Sequence, residues 1–368
     1  MLEVLIHGPL SRTEIARRLE LSQPSLSRLS APLLDSGLLV EGEERSDGRT
    51  GRPSRPLDVI AGSRHFVGVK LTGEEALGVV TDLRANVVAS AARSLASRDA
   101  EEVADVVAAL VLELSAGVPA LAALGVGLGG LVNDQNEVVR APFLGWARIP
   151  LGRMLKQRTG LPTVVENDLV ALTEAEHWFG AGRGLERFAV LTVGAGVGYG
   201  VVIHDRIVVG EDSGVGLVGH WPLQPFGPMC PEGHQGCAQA LLAVPSIVKS
   251  VSTVLNRPLT YDACLDLAEA GDPAARRIID DAGRGLGRLI AAVGNLTVPQ
   301  LILLGGEGVR LARVAAAAIS QGIQQDRDPR AGALDIHILD GDATEWCRGA
   351  AVMAIQTYVL GEQPRRRR

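Results

Sequence analysis

Aromatic side chains make up only 3% of the 368 residues, so Val, Leu, Ile and Ala must fill the cores. Cysteine is scarce as well. Four of them do not make a disulfide framework, and so few point to the reducing cytoplasm. A basic excess is missing: the formal charge is −6, which gives no global attraction to nucleic acid. The opening run MLEVLI, which stops at His7-Gly8-Pro9, reads as too short for a secretory leader and carries no cleavage pattern. The one uncharged stretch near membrane-spanning length, Leu114 to Val132, carries Pro119 and five glycines. It reads as a helix end, a turn and a buried strand. What remains is 46% apolar and 21% charged, the composition of a soluble globular chain long enough for two or three cores.

The charge is unevenly placed. Residues 1–64 hold nine arginines and nine acidic residues, and the whole deficit lies in the rest. Within that first part, Arg45 to Arg55 (RSDGRTGRPSR) sets four Arg against one Asp. Apolar spacing at Val4, Leu5, then Ile15, Leu19, then Leu26, Leu29, Leu33 and Leu34 fits three short helices. Ser11 and Thr13 are candidate caps for the second helix. Pro24 falls in the first turn of the third, where its missing N–H costs nothing, and Gly37 ends it before a strand opens at Leu38-Leu39-Val40.

The stretch SRTEIARRLELSQPSLSRLSAPLLDSGLLVEG resembles the winged helix-turn-helix of bacterial repressors along its whole length. The resemblance makes Ile15, Ala16 and Leu19 a packing face and lets Ser22-Gln23-Pro24-Ser25 open a recognition helix. Ser22, Gln23, Ser25, Ser27 and Arg28 are then candidates to reach base edges in the major groove. Arg49 and Arg52, in the Arg-rich wing, would neutralise phosphates without reading sequence. A packing domain with a basic loop is the plainer alternative.

Beyond Pro56 the periodicity changes. HFVGVKL, ALGVVTD and NVVASA read as strands, followed by a helix over about Ala100 to Ser115 and a strand at ALGVGLG. A helix near Leu151 to Thr159, a strand PTVVE and a helix from Leu169 to Phe179 complete this set. A second set of strands opens at RFAVLTV, VGYGVVIHD and RIVVG. GVVTDLRANVV (Gly78 to Val88) and GVVIHDRIVV (Gly200 to Val209) form a weak internal repeat, and duplicated lobes commonly leave a cleft between them.

Four segments follow in order: GLGGLVNDQNEVVRAPFLGWARIPL, PTVVENDLVALTEAEHWFGAG, LTVGAGVGYGVV and a Gly-His…Cys…Gly-Cys loop. Their order and spacing resemble the ROK family (repressors, open reading frames, kinases) over nearly all of residues 1–360. The resemblance implies an α/β body of two actin-like, RNase H-like lobes with a cleft, preceded by the winged helix-turn-helix. Members with such a head are regulators, usually responsive to sugars. Implied boundaries are 1–62 for the head, 63–180 for the first lobe and 181–342 for the second, with a zinc-type loop at 219–239. The helix at 343–360 would pack back on the first lobe, and 361–368 is a basic tail.

The same resemblance supplies a test for catalysis. The family's sugar base falls on Asp168, with Asn167 positioning the ring; capping of the following helix would explain both residues equally well. In the first phosphate turn, Lys70 replaces a metal-associated aspartate and Glu74 stands where a hydroxyl would meet phosphate. In the second turn (Gly194 to Gly198), Ala195 takes the place of a usual threonine. Phosphoryl transfer depends on such positioning and charge stabilisation, so the expectation is no enzyme activity and at most a vestigial base in Asp168. Effector contacts would fall on Gly130, Phe143, Asn167, Asp168, Leu217, His220 and Gln239. Phe143 replaces an asparagine and Leu217 a glutamate, which leaves an ordinary hexose with unpaired hydroxyls. The expected effector is a modified or less polar sugar.

The segment CPEGHQGC (Cys230 to Cys237), with His220 upstream, matches the family's structural zinc loop except that Glu232 stands in for its middle cysteine. The expected ligands are His220, Cys230, Glu232 and Cys237, with His234 competing for the fourth place. Two reduced cysteines in a glycine-rich loop are the alternative. The whole reads as a cytoplasmic regulator of repressor type that binds an operator duplex as a homodimer or homotetramer. A sugar kinase with an appended head, and a regulator whose body senses nothing, are the other two readings.

Overall fold

The computed structural model describes residues 1–43, 55–119 and 121–361. Arg49, Arg52 and the run Arg365 to Arg368 lie outside the described residues. The chain divides into two compact units, one of Met1–Arg183 with Trp346–Arg368 and the other Gly184–Glu345.

The first unit opens with three helices, α1 (Leu2–His7), α2 (Arg12–Arg18) and α3 (Gln23–Asp35), and two antiparallel strands, β1 (Leu39–Glu41) and β2 (Leu57–Val59). Ser11 begins α2 with a reciprocal cap: its hydroxyl accepts from the Glu14 amide at 3.2 Å, and Glu14 accepts from the Ser11 amide at 2.8 Å. Thr13 does not cap. Ser22 caps α3, accepting from the Ser25 amide at 3.3 Å. Val4, Leu5, Leu10, Ile15, Ala16, Leu26 and Leu39 are buried together. Leu19 and Leu29 are not in that core; they are 42% and 58% exposed, because the small head has too little opposing surface to cover them.

Five strands follow: β3 (His65–Leu71), β4 (Glu75–Asp82), β5 (Val87–Ser94), β6 (Leu121–Leu128) and, after a small sheet of β7 (Leu131–Val132), β8 (Val138–Ala141) and β9 (Trp146–Ile149), β10 (Thr163–Asn167). Their order is β10-β6-β3-β4-β5; β3, β6 and β10 run parallel, and β3, β4 and β5 antiparallel. The sheet is flanked by α4 (Ala100–Ser115), α5 (Leu151–Thr159) and α6 (Asp168–Phe179). Asp99 caps α4 and Gly160, in the left-handed region, ends α5.

The second unit repeats the plan with β11 (Arg187–Val193) and β12 (Val197–Ile203), the helices α7 (Ala238–Leu242), α8 (Val244–Val254), α9 (Tyr261–Glu269) and α10 (Pro273–Thr297), β13 (Leu301–Gly305), α11 (Arg310–Val314), α12 (Ala316–Asp326) and β14 (Ile336–Ile338). Its order, β12-β11-β13-β14, is that of β4-β3-β6-β10, with the same parallel and antiparallel pairings. The expected third strand, RIVVG, does not form. Only the Val202–Ile207 bridge pairs there, and beyond Val208 the Gly210 amide turns to donate to the Ser213 hydroxyl at 2.8 Å. The internal repeat is therefore a full hairpin in one copy and a stub in the other.

The last helix, α13 (Ala343–Leu360), returns to the first unit. It lies so close to the sheet that a Cβ on Gly68 would stand 2.0 Å from the Cys347 carbonyl oxygen, and one on Gly125 1.8 Å from that of Ala350. This contact requires the glycines within HFVGVKL and ALGVGLG. Phe66, Ala171, Ala175, Val352 and Ile355 share one buried cluster with the head residues, so head, α6 and α13 are packed through a common core. No helix among the described residues is long and apolar enough to cross a membrane.

Candidate functional site

In the first unit, β10 ends and α6 begins at Asn167-Asp168. Asn167 is buried; its carbonyl oxygen caps α6, accepting from the Leu169 and Val170 amides, while its amide donates to the Gly130 carbonyl at 3.0 Å. One residue thus caps the helix and ties Gly130 to it. Asp168 receives the Lys70 ammonium in a close ion pair, each side chain only 14% exposed. That ammonium also lies 4.7 Å from the centre of the Trp346 ring, a cation–π contact contributed by α13. Lys70 lies on β3 and Asp168 at the start of α6, directly after β10, with β6 between those two strands; the pair is 98 positions apart, so sequence alone gives no sign of it.

The turn after β3 is closed on itself. The Thr72 hydroxyl accepts from the amides of Glu74 and Glu75 at 3.2 and 3.0 Å, leaving neither N–H for an anion. Glu74 points outward and is exposed. Phe143 is 52% exposed, and its ring stands within 3.4 Å of where a Cβ on Gly129 would be.

In the second unit the Gly194-Ala195-Gly196 turn is also filled. Glu307, just after β13, accepts the Ala195 amide at 2.5 Å. Its carboxylate lies against Gly194 so closely that a Cβ there would meet it at 2.3 Å. Gln239 donates to the Ala195 carbonyl at 3.3 Å. One backbone donor that would suit a phosphate, the Ala195 amide, is thus held by a carboxylate of the chain itself, and the Gly194 amide donates to the Gly196 carbonyl at 2.9 Å. Sequence reasoning missed Glu307; the only trace of it is an acid directly after Gly305-Gly306.

The same unit gathers His220, Cys230 and Cys237, whose ligand atoms lie within 4.8 Å of one another. The Cys230 sulfur is 3.8 Å from His220 Nδ1 and 3.6 Å from His234 Nδ1, near the roughly 3.5 Å between donors around a tetrahedral zinc. The two imidazole rings lie 4.3 Å apart, centre to centre. Glu232 and His234 are both exposed and stand outside the three-residue group, and the Glu232 carboxyl is held below the usual range by a hydrogen bond with Cys230. Burial pushes the Cys237 thiol up. Leu217 is 63% exposed and His220 half-buried, both on one short turn, Leu217–His220.

On α3 of the head, Ser22, Gln23, Ser27 and Arg28 are exposed along one side of the helix start, and Ser25 is half-buried and hydrogen-bonded to Ser22 at 2.9 Å. A cavity of about 340 Å³ in the first unit lies at the opposite end of β10 from Asn167, lined by Lys156, Thr163 and Thr357 among others, and includes none of the expected effector residues.

Two α/β units of the same strand order, preceded by three short helices and a two-stranded sheet, define a class of duplicated α/β folds. The chain belongs to the ROK family, whose pattern matches residues 66–354. It is 29% identical over 337 residues to the DNA-binding transcriptional repressor Mlc of Escherichia coli K12, covering 88% of this chain and 83% of the repressor. Its fold matches the crystal structure of a ROK family transcriptional regulator, a homologue of E. coli Mlc, with a TM-score of 0.82 at 24% identity, over 97% of this chain and 95% of that one. It also matches a ROK family glucokinase from Streptomyces griseus, solved with glucose and AMPPNP, with a TM-score of 0.69 at 24% identity, over 79% of this chain and 99% of the glucokinase.

Proposed function

We propose that the protein is a DNA-binding transcriptional regulator of repressor type whose kinase-like body senses a small molecule and transfers no phosphoryl group. The likeness to Mlc along most of both chains supports the regulatory role. The ion pair of Lys70 with Asp168 carries the non-catalytic reading. A general base must reach a bound hydroxyl to accept its proton, and a carboxylate already engaged by an ammonium of the chain lacks the free oxygen and the space to do so. Glu307 in the second turn adds a negative charge where a triphosphate would need donors.

In this reading α1 to β2 form the winged helix-turn-helix, with the boundary to the body near residue 62. Ser22, Gln23, Ser27 and Arg28 of α3 meet base edges, Ser25 steadies the helix start, and Arg49 and Arg52 meet phosphates. Two heads in a homo-oligomer would read two half-sites. The effector is a modified or less polar sugar held in the first unit near Asn167, Asp168 and Gly130, where the apolar Phe143 suits such a ligand better than a free hexose. The metal is a structural zinc held by His220, Cys230, Cys237 and His234. With four protein ligands it would hold the loop in shape and leave no open position for water.

The test is an ADP-release assay on the full chain with a panel of hexoses and N-acetylated hexoses. The expected rate is background for every sugar, in wild type and in Lys70→Asp. Sustained, sugar-dependent ADP release by the wild-type protein would overturn the reading.

A further inference from the structure

A tight turn between β4 and β5, Asp82 to Asn86, ties the head to the body, alongside Arg183, which donates to the Ile6 carbonyl at 3.5 Å. Asp82 builds the turn: its Oδ1 accepts from the Arg84 and Asn86 amides at 2.8 and 3.0 Å, and its Oδ2 from the Asn86 side-chain amide at 2.9 Å. The Leu83 amide donates to the Ala61 carbonyl at 2.9 Å, which fastens the turn to the chain entering the body. From this base the Arg84 guanidinium reaches into the head. It donates to the carbonyls of Val4 at 3.2 Å and Gly8 at 3.5 Å, at the end of α1, and pairs with Asp58 on β2. One planar fork thus holds both ends of the head, since Leu10 and Leu57 are themselves bridged.

The other side of the turn faces α6. Arg348, on α13, donates to the Ala85 carbonyl at 3.2 Å and to the Phe179 carbonyl at the end of α6 at 3.2 Å, and approaches Glu176 at 4.0 Å. Glu176 in turn accepts the Ala181 amide at 2.9 Å. The twelve residues of α6 begin at Asp168 and span about 18 Å. A continuous set of polar contacts therefore runs from Asp168, along a rigid helix, through Arg348 and the 82–86 turn, to Arg84 and the head. The buried packing of α6 and α13 on the head core surrounds it.

We propose that Arg84 is the positioning residue that sets the head on the body, and that Arg348 connects it to α6 so that the state of Asp168 is felt at α1. This rests on the reading of Asp168 as lying at the effector site and of α1 to β2 as the DNA-binding head. The path is physical in that each link is a hydrogen bond or helix, and its coupling is measurable by a double-mutant cycle.

Amide hydrogen exchange on the full chain tests it without DNA or effector, so the outcome is independent of whether the head binds DNA. The variants are Arg84→Ala, Arg84→Lys, Asp168→Asn and the Asp168→Asn/Arg84→Ala pair. Arg84→Ala is expected to speed exchange over Leu2 to Leu10 about tenfold, as the loss of several hydrogen bonds implies, with β3 and β6 unchanged. Arg84→Lys, a point charge without the fork, falls between. Asp168→Asn alters exchange over the same segment in the wild-type background, and that change disappears when Arg84 is absent. Unaltered α1 exchange in Arg84→Ala, no effect of Asp168→Asn at α1, or an effect of undiminished size in the double variant would each refute the proposal. Should Arg84→Ala loosen β6 as well, Arg348→Lys supplies the second reading: it keeps a cation near Glu176 but lacks the reach to both carbonyls, so exchange rises at 82–86 and α1 together. Exchange at α1 that stays at the wild-type rate in Arg348→Lys counts against the relay.

Discussion

Glu307 accepts the backbone amide of Ala195 at 2.5 Å, so a carboxylate of the chain occupies the turn that in a phosphate-binding protein would face an anion. The contact is within one unit and joins residues 112 positions apart. Glu307→Ala removes both the charge and the occupant. Removal of a like charge a few ångströms from a phosphate is expected to bring AMPPNP binding, too weak to measure in the wild type, into the range calorimetry reads. Glu307→Gln, which keeps an acceptor for Ala195, gains less. Equal nucleotide affinity in all three proteins would remove Glu307 from the account.

The Lys70–Asp168 pair predicts non-additivity. Lys70→Met strands a carboxylate that is largely shielded from water, and the expected cost in urea unfolding is about 1–3 kcal/mol, reduced from the fully buried range by the remaining exposure. Asp168→Asn in the Lys70→Met background then costs less than in wild type. A coupling energy of about 1 kcal/mol or more is expected. Additivity within experimental error would mean the pair contributes no mutual stabilisation.

Metal content separates the two candidates for the fourth ligand. Protein purified without added zinc is expected to carry about one zinc per chain, and Cys230→Ser to lose it with a fall in Tm. His234→Ala is expected to weaken zinc affinity by tenfold or more, whereas Glu232→Ala leaves it near wild type. The reverse order would give the place to Glu232.

The cap of α2 predicts a pH dependence. Glu14 is held below the usual carboxylate range chiefly by the Ser11 hydroxyl and then by the Ser11 amide. A carboxyl depressed in the folded state adds stability above its unfolded pKa, and that stability is lost as pH falls through the folded value. Ser11→Ala is expected to cost about 1 kcal/mol at neutral pH. The difference from wild type should narrow in acid, measured by urea unfolding from pH 7 downward. A constant difference would show that the Ser11 hydroxyl stabilises the helix only by accepting from the Glu14 amide, with no contribution from the Glu14 carboxylate.

What the sequence disclosed was local. The ends of α4 and α5 follow from Asp99 before an apolar period and Gly160 after one, and the three short helices of the head follow from spacing and caps. The body was recognisable because four motifs recur in a fixed order. The strand expected at RIVVG failed because period-two alternation cannot report that the next turn, anchored on Ser213, ends the pairing. The decisive contacts were long-range: Lys70 looks like an isolated replacement until the parallel pairing of β3, β6 and β10 brings it to Asp168, and Glu307 looks like a surface acid until β13 places it on Gly194. Arg84 carried no signal at all, being one basic residue in a turn.

The most direct test of the central claim is selection of random duplex DNA by the full chain, followed by titration of the enriched sequence at several salt concentrations. The account predicts a defined, enriched motif, affinity that falls linearly on a log–log plot against salt, and loss of sequence preference at one position in Arg28→Ala or Gln23→Ala. No enriched sequence, or binding indifferent to salt and to both substitutions, would contradict it.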